Sequence, residues 1–191
     1  INTGDIGRIF SSRNDINAIV FICTEAAVHF SKENQIMRPA LDDLAQIIGP
    51  DVTVCPDGTA RTLLKALRNR RGCFIQWSGI IAVGDTIEEA IAGARILEKS
   101  AEAEIYSGKL NGLQYLDPTT AQELHKYYDG SYSKVNQKEK VDFISSGAEE
   151  FQLRNRIIDC GKDMSRSELV QGSWGNISLR LNPDTMLITP S

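Results

Sequence analysis

Leu169-Val170-Gln171-Gly172-Ser173-Trp174-Gly175-Asn176-Ile177-Ser178, followed by Met186-Leu187-Ile188-Thr189-Pro190-Ser191, is the most informative stretch of the chain. Two glycines bracket a hydroxyl and an indole, and an asparagine leads into a short alternating strand. Asn182-Pro183-Asp184 reads as the hairpin turn between strands Ile177–Leu181 and Met186–Thr189. Small polar residues at a helix-to-strand turn suit an anion. Glycine lets backbone N–H groups approach oxygen, and Asn and Ser add donors without bulk. Upstream, Phe143 to Met164 reads as mostly helical, with Phe151, Ile157, Ile158 and Cys160 among its apolar positions, and Ser165 to Leu169 carries it into the turn.

The chain around this stretch has 191 residues, 41% hydrophobic and 24% charged, enough for one or two globular domains with a core. Formal net charge is −4, with no basic stripe and few aromatics, so nucleic acid is not an expected partner. No apolar run approaches the roughly 18 residues of a membrane helix. The start, Ile-Asn-Thr-Gly-Asp, is neither basic nor apolar, so no signal peptide is expected either. Cys23, Cys55, Cys73 and Cys160 are scattered without a CxxC pair. They read as reduced, mostly buried thiols of a cytoplasmic protein, in preference to disulfides or a metal site. The chain opens without methionine and ends directly after a strand, so it is expected to be a piece of a longer protein.

Towards the front, Asp5 to Ser11 reads as a short helix, and Ala18 to Cys23 is a continuous apolar run of strand length. Such runs are usually buried on both faces of a sheet covered by helices. Thr24 caps a helix reaching about Asn34, and Leu41 to Ile48 reads as a short amphipathic helix closed by Gly49-Pro50. Val52 to Cys55 is a strand, Pro56-Asp57-Gly58 a turn, and Thr59 to Asn69 a helix. Cys73 to Trp77 and Ile80 to Val83 are strands flanking Ser78-Gly79, with Trp77 expected to be buried. Asp85-Thr86 starts the most regular helix: Ile87, Ala90, Ile91, Ala94, Leu97, Ala101 and Ile105 recur at helical spacing, and Gly108 ends it. Another helix runs from Asp117-Pro118 through Tyr128, and polar residues 129–140 read as a linker. The pattern is α/β without regular βαβ alternation.

Val170 to Ser178 with Met186 to Ser191 resembles the opening of a class II aldolase/adducin (L-fuculose-phosphate aldolase-like) domain. That opening is a long helix, a Gly-x-x-Gly-Asn-[IV]-Ser turn, a hairpin and Leu-Ile-Thr-Pro-[ST]-Gly. The front resembles the other part of the same domain. Arg13-Asn14-Asp15-Ile16-Asn17-Ala18-Ile19-Val20 is similar to the family's Arg-Pro-Asp-Val-x-Ala-Val-Val, which runs into His-x-His. Asp42 to Gly49 and Ile80 to Ala90 resemble the helical segment and the strand with closing helix that follow.

The resemblance implies a three-layer α/β/α fold with a central, mostly antiparallel sheet flanked by helices. It also implies an order of parts. Residues 1–128 match the C-terminal portion of a degenerate repeat, 129–140 a linker, and 141–191 the N-terminal portion of a second repeat. A circularly permuted single domain is the alternative. Enzymes of the family hold zinc with three histidines, which suits a Lewis acid that stabilises an enediolate. Here the His-x-His positions fall on Phe21 and Cys23, the His-Gly position on Ser78 before Gly79, and the acid/base glutamate near Asn2.

These departures leave no catalytic residue and no metal ligand set in the first repeat. Phe21 and Cys23 read as core packing at a strand end. His29 and His125 read as surface or partly buried structure, and Arg68, Arg70 and Arg71 as the solvated end of a helix. In the second repeat the resemblance makes Ser173, Gly175, Asn176 and Ser191 a phosphate cradle, with any zinc held by residues beyond Ser191. The expected function is that of a sugar-phosphate aldolase-like lyase whose first repeat is inactive. The expected ligand is a small phosphorylated sugar or similar small acid. The alternative is a non-catalytic, adducin-like oligomerisation or ligand-sensing protein. The chain is expected to be cytoplasmic and homo-oligomeric, with the resemblance implying a tetramer, and to have neither membrane nor nucleic acid as partner.

Overall fold

The computed structural model describes residues 1–32, 36–108, 110, 112–132, 147–167, 169–170 and 175–189. It divides into two units, Ile1–Val135 and Asn136–Ser191.

The larger unit is built on a five-stranded sheet. Its strands are β1 (Ala18–Ile22), β2 (Ile36–Met37), β3 (Val52–Cys55), β4 (Gly72–Ile75) and β5 (Gly79–Gly84), in the order β1-β5-β4-β3-β2. β1 with β5, β5 with β4, and β3 with β2 pair antiparallel, and β3 with β4 is parallel. Every residue of β4 and β5 is buried, which requires cover on both faces. The helices are α1 (Thr3–Ser12), α2 (Glu25–Phe30), α3 (Ala60–Ala66), α4 (Ile87–Ser107) and α5 (Pro118–Tyr127).

Alternation along β4 shows which helices cover which face. Gly72 lies under Leu97 of α4, whose Cδ1 is 2.6 Å from the place a Cβ would take. Phe74, on the same face, stacks tilted against Phe30 of α2 with ring centroids 4.8 Å apart. Cys73 points the other way, to the Cys55 sulfur at 3.5 Å, and Cys55 in turn touches the Thr62 carbonyl of α3. The result is an α/β/α sandwich with a central, mostly antiparallel sheet. Leu97, Ile80 and Ile81 are fully buried, and each contributes about 1.5–3 kcal/mol by leaving water.

α4 forms where its pattern predicts. The Thr86 hydroxyl accepts from Glu89 N at 3.2 Å, and the Glu89 carboxylate accepts from Asp85 N at 2.9 Å, a close variant of the capping box. Its buried stripe runs through Ala90, Gly93, Ala94, Leu97 and Ala101, while Ile87 and Ile91 are exposed. Thr24 caps α2 as expected, accepting from Ala27 N at 3.3 Å, and its hydroxyl also bonds Glu98 of α4.

Several expectations need correcting. The apolar run Ala18 to Cys23 is not covered on both faces: its strand β1 ends the sheet order, with Phe21 45% exposed and Cys23 exposed. Leu41 to Ile48 forms a π-helical turn over Leu44–Ile48 instead of an α-helix, because Gly49 N reaches back to Leu44 O at 3.1 Å. Trp77 lies in the β4–β5 turn with φ of +59° and is 64% exposed, with Lys32 Nζ 5.9 Å from its ring centroid. β2, a two-residue ladder on β3, was too short for an alternation signal. Of the cysteines, only Cys55 and Cys73 are buried; Cys160 joins Cys23 at the surface. Residues 129–132 of the expected linker continue α5 as a π-helical turn, and 133–140 lie outside the described residues.

The smaller unit contains α6 (Ala148–Arg166) and the hairpin β6 (Ser178–Asn182) with β7 (Thr185–Ile188). Asn182 Oδ1 accepts from Asp184 N and Thr185 N, both at 3.0 Å, an Asx turn that closes the hairpin. Among the described residues no helix is long and apolar enough to cross a membrane.

Candidate functional site

The hairpin register fixes the first candidate site, because it brings residue 177 opposite residue 189. Thr189 N donates to Ile177 O at 3.0 Å, and Ile177 N donates to the Thr189 hydroxyl at 3.1 Å. That hydroxyl in turn donates to Asn176 Oδ1 at 3.4 Å, a long bond that orients the amide more than it holds it. With Oδ1 turned to Thr189, the Asn176 Nδ2 group has no hydrogen-bond partner among the described residues and can donate to a ligand. Gly175 precedes it with φ of +96°. A Cβ there would lie 2.9 Å from Val170 Cγ1 and 3.5 Å from Met164 Cε, so only glycine lets the turn settle on the end of α6.

Gly175 and Asn176 are thus exposed and adjacent at the mouth of the hairpin. Ser173 and Ser191, the other two expected phosphate contacts, lie outside the described residues. Thr189 was not singled out as a site residue. The Asn182-Pro183-Asp184 turn marks the hairpin but not its register, which shifts between Arg180 and Asn182, so the turn alone does not place Thr189 beside Asn176.

A second corner forms in the larger unit, where the resemblance places the zinc histidines. The end of β1 and the β4–β5 turn meet there. Ser78 N donates to Ile75 O at 3.0 Å, and its hydroxyl donates to Gln76 O at 3.2 Å. Gly79, at φ of +140°, approaches so closely that a Cβ would stand 2.1 Å from Ile22 O and 3.1 Å from Cys23 Cα. The fold therefore brings residue 23 beside the 78–79 turn. The side chains it brings are an exposed thiol, an exposed phenyl and a hydroxyl already bound to its own turn. Exposure also overturns the reading of Phe21 and Cys23 as core packing: the strand end carrying them is at the sheet edge. Among the described residues no three His, Cys, Asp or Glu side chains are grouped to hold a metal ion. Asn2 caps α1, with Oδ1 accepting from Asp5 N at 2.9 Å, and the Asp5 carboxylate accepts from Ala60 N at 2.9 Å, tying α1 to α3.

The histidines sit elsewhere. His29 is in the last turn of α2, and His125 Nδ1 is 3.1 Å from Gln46 O, half-buried. Arg70 and Arg71 are not a solvated helix end. Arg70 Nε donates to the Asp51 carbonyl and to its carboxylate, each at 2.8 Å, and both arginines line a cavity with Arg13.

The sequence pattern of the class II aldolase and adducin N-terminal domain matches residues 7–105 and 155–191 of the chain. No curated protein matches it in sequence. Among solved structures it is similar to an L-fuculose 1-phosphate aldolase at 20% identity and a TM-score of 0.58, over 63% of this chain and 59% of that one. The L-fuculose-1-phosphate aldolase of Thermus thermophilus matches at 24% identity and 0.51, over 60% and 65%. That of Glaciozyma antarctica matches at 20% and 0.53, over 64% and 48%. This chain thus spans less than two thirds of the length of each. The sequence match covers well over half of the chain, and the chain belongs to the class II aldolase and adducin family.

Proposed function

We propose that this member of the family binds a small phosphorylated sugar, or a similar small acid, at the Gly175–Asn176 turn. We further propose that zinc-dependent carbon–carbon lyase chemistry does not run at the Phe21–Cys23–Ser78 corner. The observation that carries the first part is the Thr189–Asn176 hydrogen bond beside a left-handed Gly175, which leaves an amide donor and open backbone at one exposed turn. The names of the L-fuculose 1-phosphate aldolases support a sugar phosphate as the ligand class.

Zinc does not fit the corner in the larger unit. A phenyl ring offers no lone pair, the Ser78 hydroxyl is a weak ligand engaged with Gln76, and one thiolate is not a ligand set. On this reading the first repeat is a degenerate scaffold, and zinc with its lyase chemistry belongs to the part of the second repeat that follows Ser191.

Metal analysis of the full-length protein tests this. Close to one equivalent of zinc is expected, unchanged by Cys23→Ser. Less than about a tenth of an equivalent sinks the lyase reading, because that mechanism requires a bound Lewis acid. The non-catalytic, adducin-like reading would then stand, favoured by the exposed apolar residues Phe151, Ile158 and Leu169 of the smaller unit. Loss of sugar-phosphate binding on Asn176→Asp, which adds a negative charge and removes the amide donor, is the expected outcome for the turn. Unchanged binding would remove Asn176 from the site.

A further inference from the structure

Arg71 has a buried guanidinium nitrogen, Nη1, with no hydrogen-bond partner among the described residues. Its backbone is pinned on both sides: N donates to Ile48 O at 2.8 Å, and its carbonyl accepts from Val83 N at 2.8 Å. Its Nη2 is 3.7 Å from the Asp129 carboxylate, too far for a hydrogen bond, and Nη1 is buried without a partner among the described residues. Arginine cannot shed its charge to escape this position. The side chain as a whole is 32% exposed, but its Nη1 is buried, and a buried donor without an acceptor costs free energy, so the site is better satisfied with an acceptor than without one.

The surroundings point to what that acceptor is. A cavity of about 480 Å³ opens at Arg71, lined also by Arg13, Arg68, Arg70, His125 and Lys126. Carboxylates neutralise part of this charge. Asp15 takes the Nε and Nη2 of Arg13 in a fork at 2.7 and 2.6 Å, and Asp51 takes Arg70. Neither Arg68 nor Lys126 has an ion-pair partner among the described residues. The site therefore holds an excess of positive charge in a chain whose net charge is −4. The C-terminal end of α3, which would repel an anion, is already occupied: Arg13 Nη1 bonds the Leu67 and Arg68 carbonyls. His125 commits Nδ1 to Gln46 O and keeps Nε2 for another contact. Among the described residues no Phe, Tyr or Trp lines the cavity, so its lining is dominated by charge.

The cavity is also remote from the corner at Cys23 and Ser78. Arg13 and Asp15 precede β1 and Arg71 precedes β4, two strands that run in the same direction on either side of antiparallel β5. Cys23 and Ser78 follow the same two strands at their far ends, about 15 Å away by strand rise. We infer that this cavity is an anion-binding site for a small, compact polyanion carrying more than one phosphoryl group. Arg71 is its part-buried anchor, and Arg68 and Lys126 are its exposed charges.

Inorganic pyrophosphate is the probe, titrated calorimetrically into the full chain. Saturable binding at one site is expected, weakening steeply with added salt because the contacts are ionic. The double variant Arg68→Gln/Lys126→Gln should weaken binding at least tenfold with an unchanged melting temperature. Arg71→Met should abolish binding while the far-ultraviolet circular dichroism is retained; if that variant unfolds, the double variant decides. Asn176→Asp should leave pyrophosphate binding intact, which separates this site from the hairpin turn. Three outcomes overturn the inference: no saturable heat, full affinity in the double variant, or binding abolished by Asn176→Asp alone.

Discussion

At Gly79 a φ of +140° combines with a carbonyl oxygen 2.1 Å from where a Cβ would stand. Gly79→Ala is therefore expected to cost on the order of 3 kcal/mol, read as a shift in the urea midpoint. A loss below about 0.5 kcal/mol would mean that the turn opens freely, an effect no larger than that of an ordinary surface substitution. Asp117 allows a sharper test. It caps α5, accepting from the Thr120 hydroxyl and from Thr119 N and Thr120 N at 2.9 and 3.0 Å. These bonds, the hydroxyl first, hold its carboxyl at about 2 against an ordinary 3.8. The folded value lies below the unfolded one. The stabilisation is therefore complete above the ordinary carboxylate range and is lost as pH falls through about 2. Asp117→Asn should melt below the parent protein at neutral pH, with the gap closing over that acid window. A gap that stays constant into the acid range would show that charge plays no part in the cap. This cap was legible in advance, because Asp-Pro at a helix start acts on its own neighbours. Thr189 was not, since its partner Asn176 is reached only through the hairpin.

The strands and helices carry two further expectations. Cys55 and Cys73 face each other from neighbouring strands β3 and β4 under α3. The bond to Cys55, and then burial, keep the Cys73 thiol well above its usual range, and the thiolate is the reactive form. Iodoacetamide should therefore label Cys23 and Cys160 in the folded protein and reach Cys73 only after denaturation. Labelling of Cys73 at the rate of Cys23 would contradict the packing of β4. Leu97→Ala in α4 should cost about 3 kcal/mol, because β4 and β5 on one side and the rest of α4 on the other leave no way to fill the space. The stripe of α4 was readable from period alone, with Ala90, Ala94, Leu97 and Ala101 as its buried members. The exposure of Ile87 and Ile91 was not, because period marks a face and not how wide a strip of it the sheet covers: Ile91 lies between buried Ala90 and Ala94 along the axis.

Across the molecule the apolar burial is uneven. The larger unit holds nearly all of the buried core, whereas in the smaller one Ile157 is buried and Phe151, Ile158, Leu169, Met186 and Ile188 are exposed. Phe151 and Ile158 are two helical turns apart on the same face of α6. A surface of this kind is expected to associate, so sedimentation velocity should show species larger than a monomer. Phe151→Ser/Ile158→Ser should return the chain towards the monomer without lowering its melting temperature. A strictly monomeric parent with a single sharp melt would count against this. Element types along most of the chain, the caps at Thr24, Thr86 and Asp117, and the kinship of the Gly175–Asn176 turn were set by the order of residues, because each depends on neighbours within a turn or two. Tertiary structure alone placed β1 at a sheet edge with Phe21 and Cys23 in the open, and turned Trp77 outward. It also set Thr189 on Asn176 and gathered Arg13, Arg71 and Lys126 around one cavity. Those outcomes depend on which distant segments meet, and a local pattern holds no record of its distant partners.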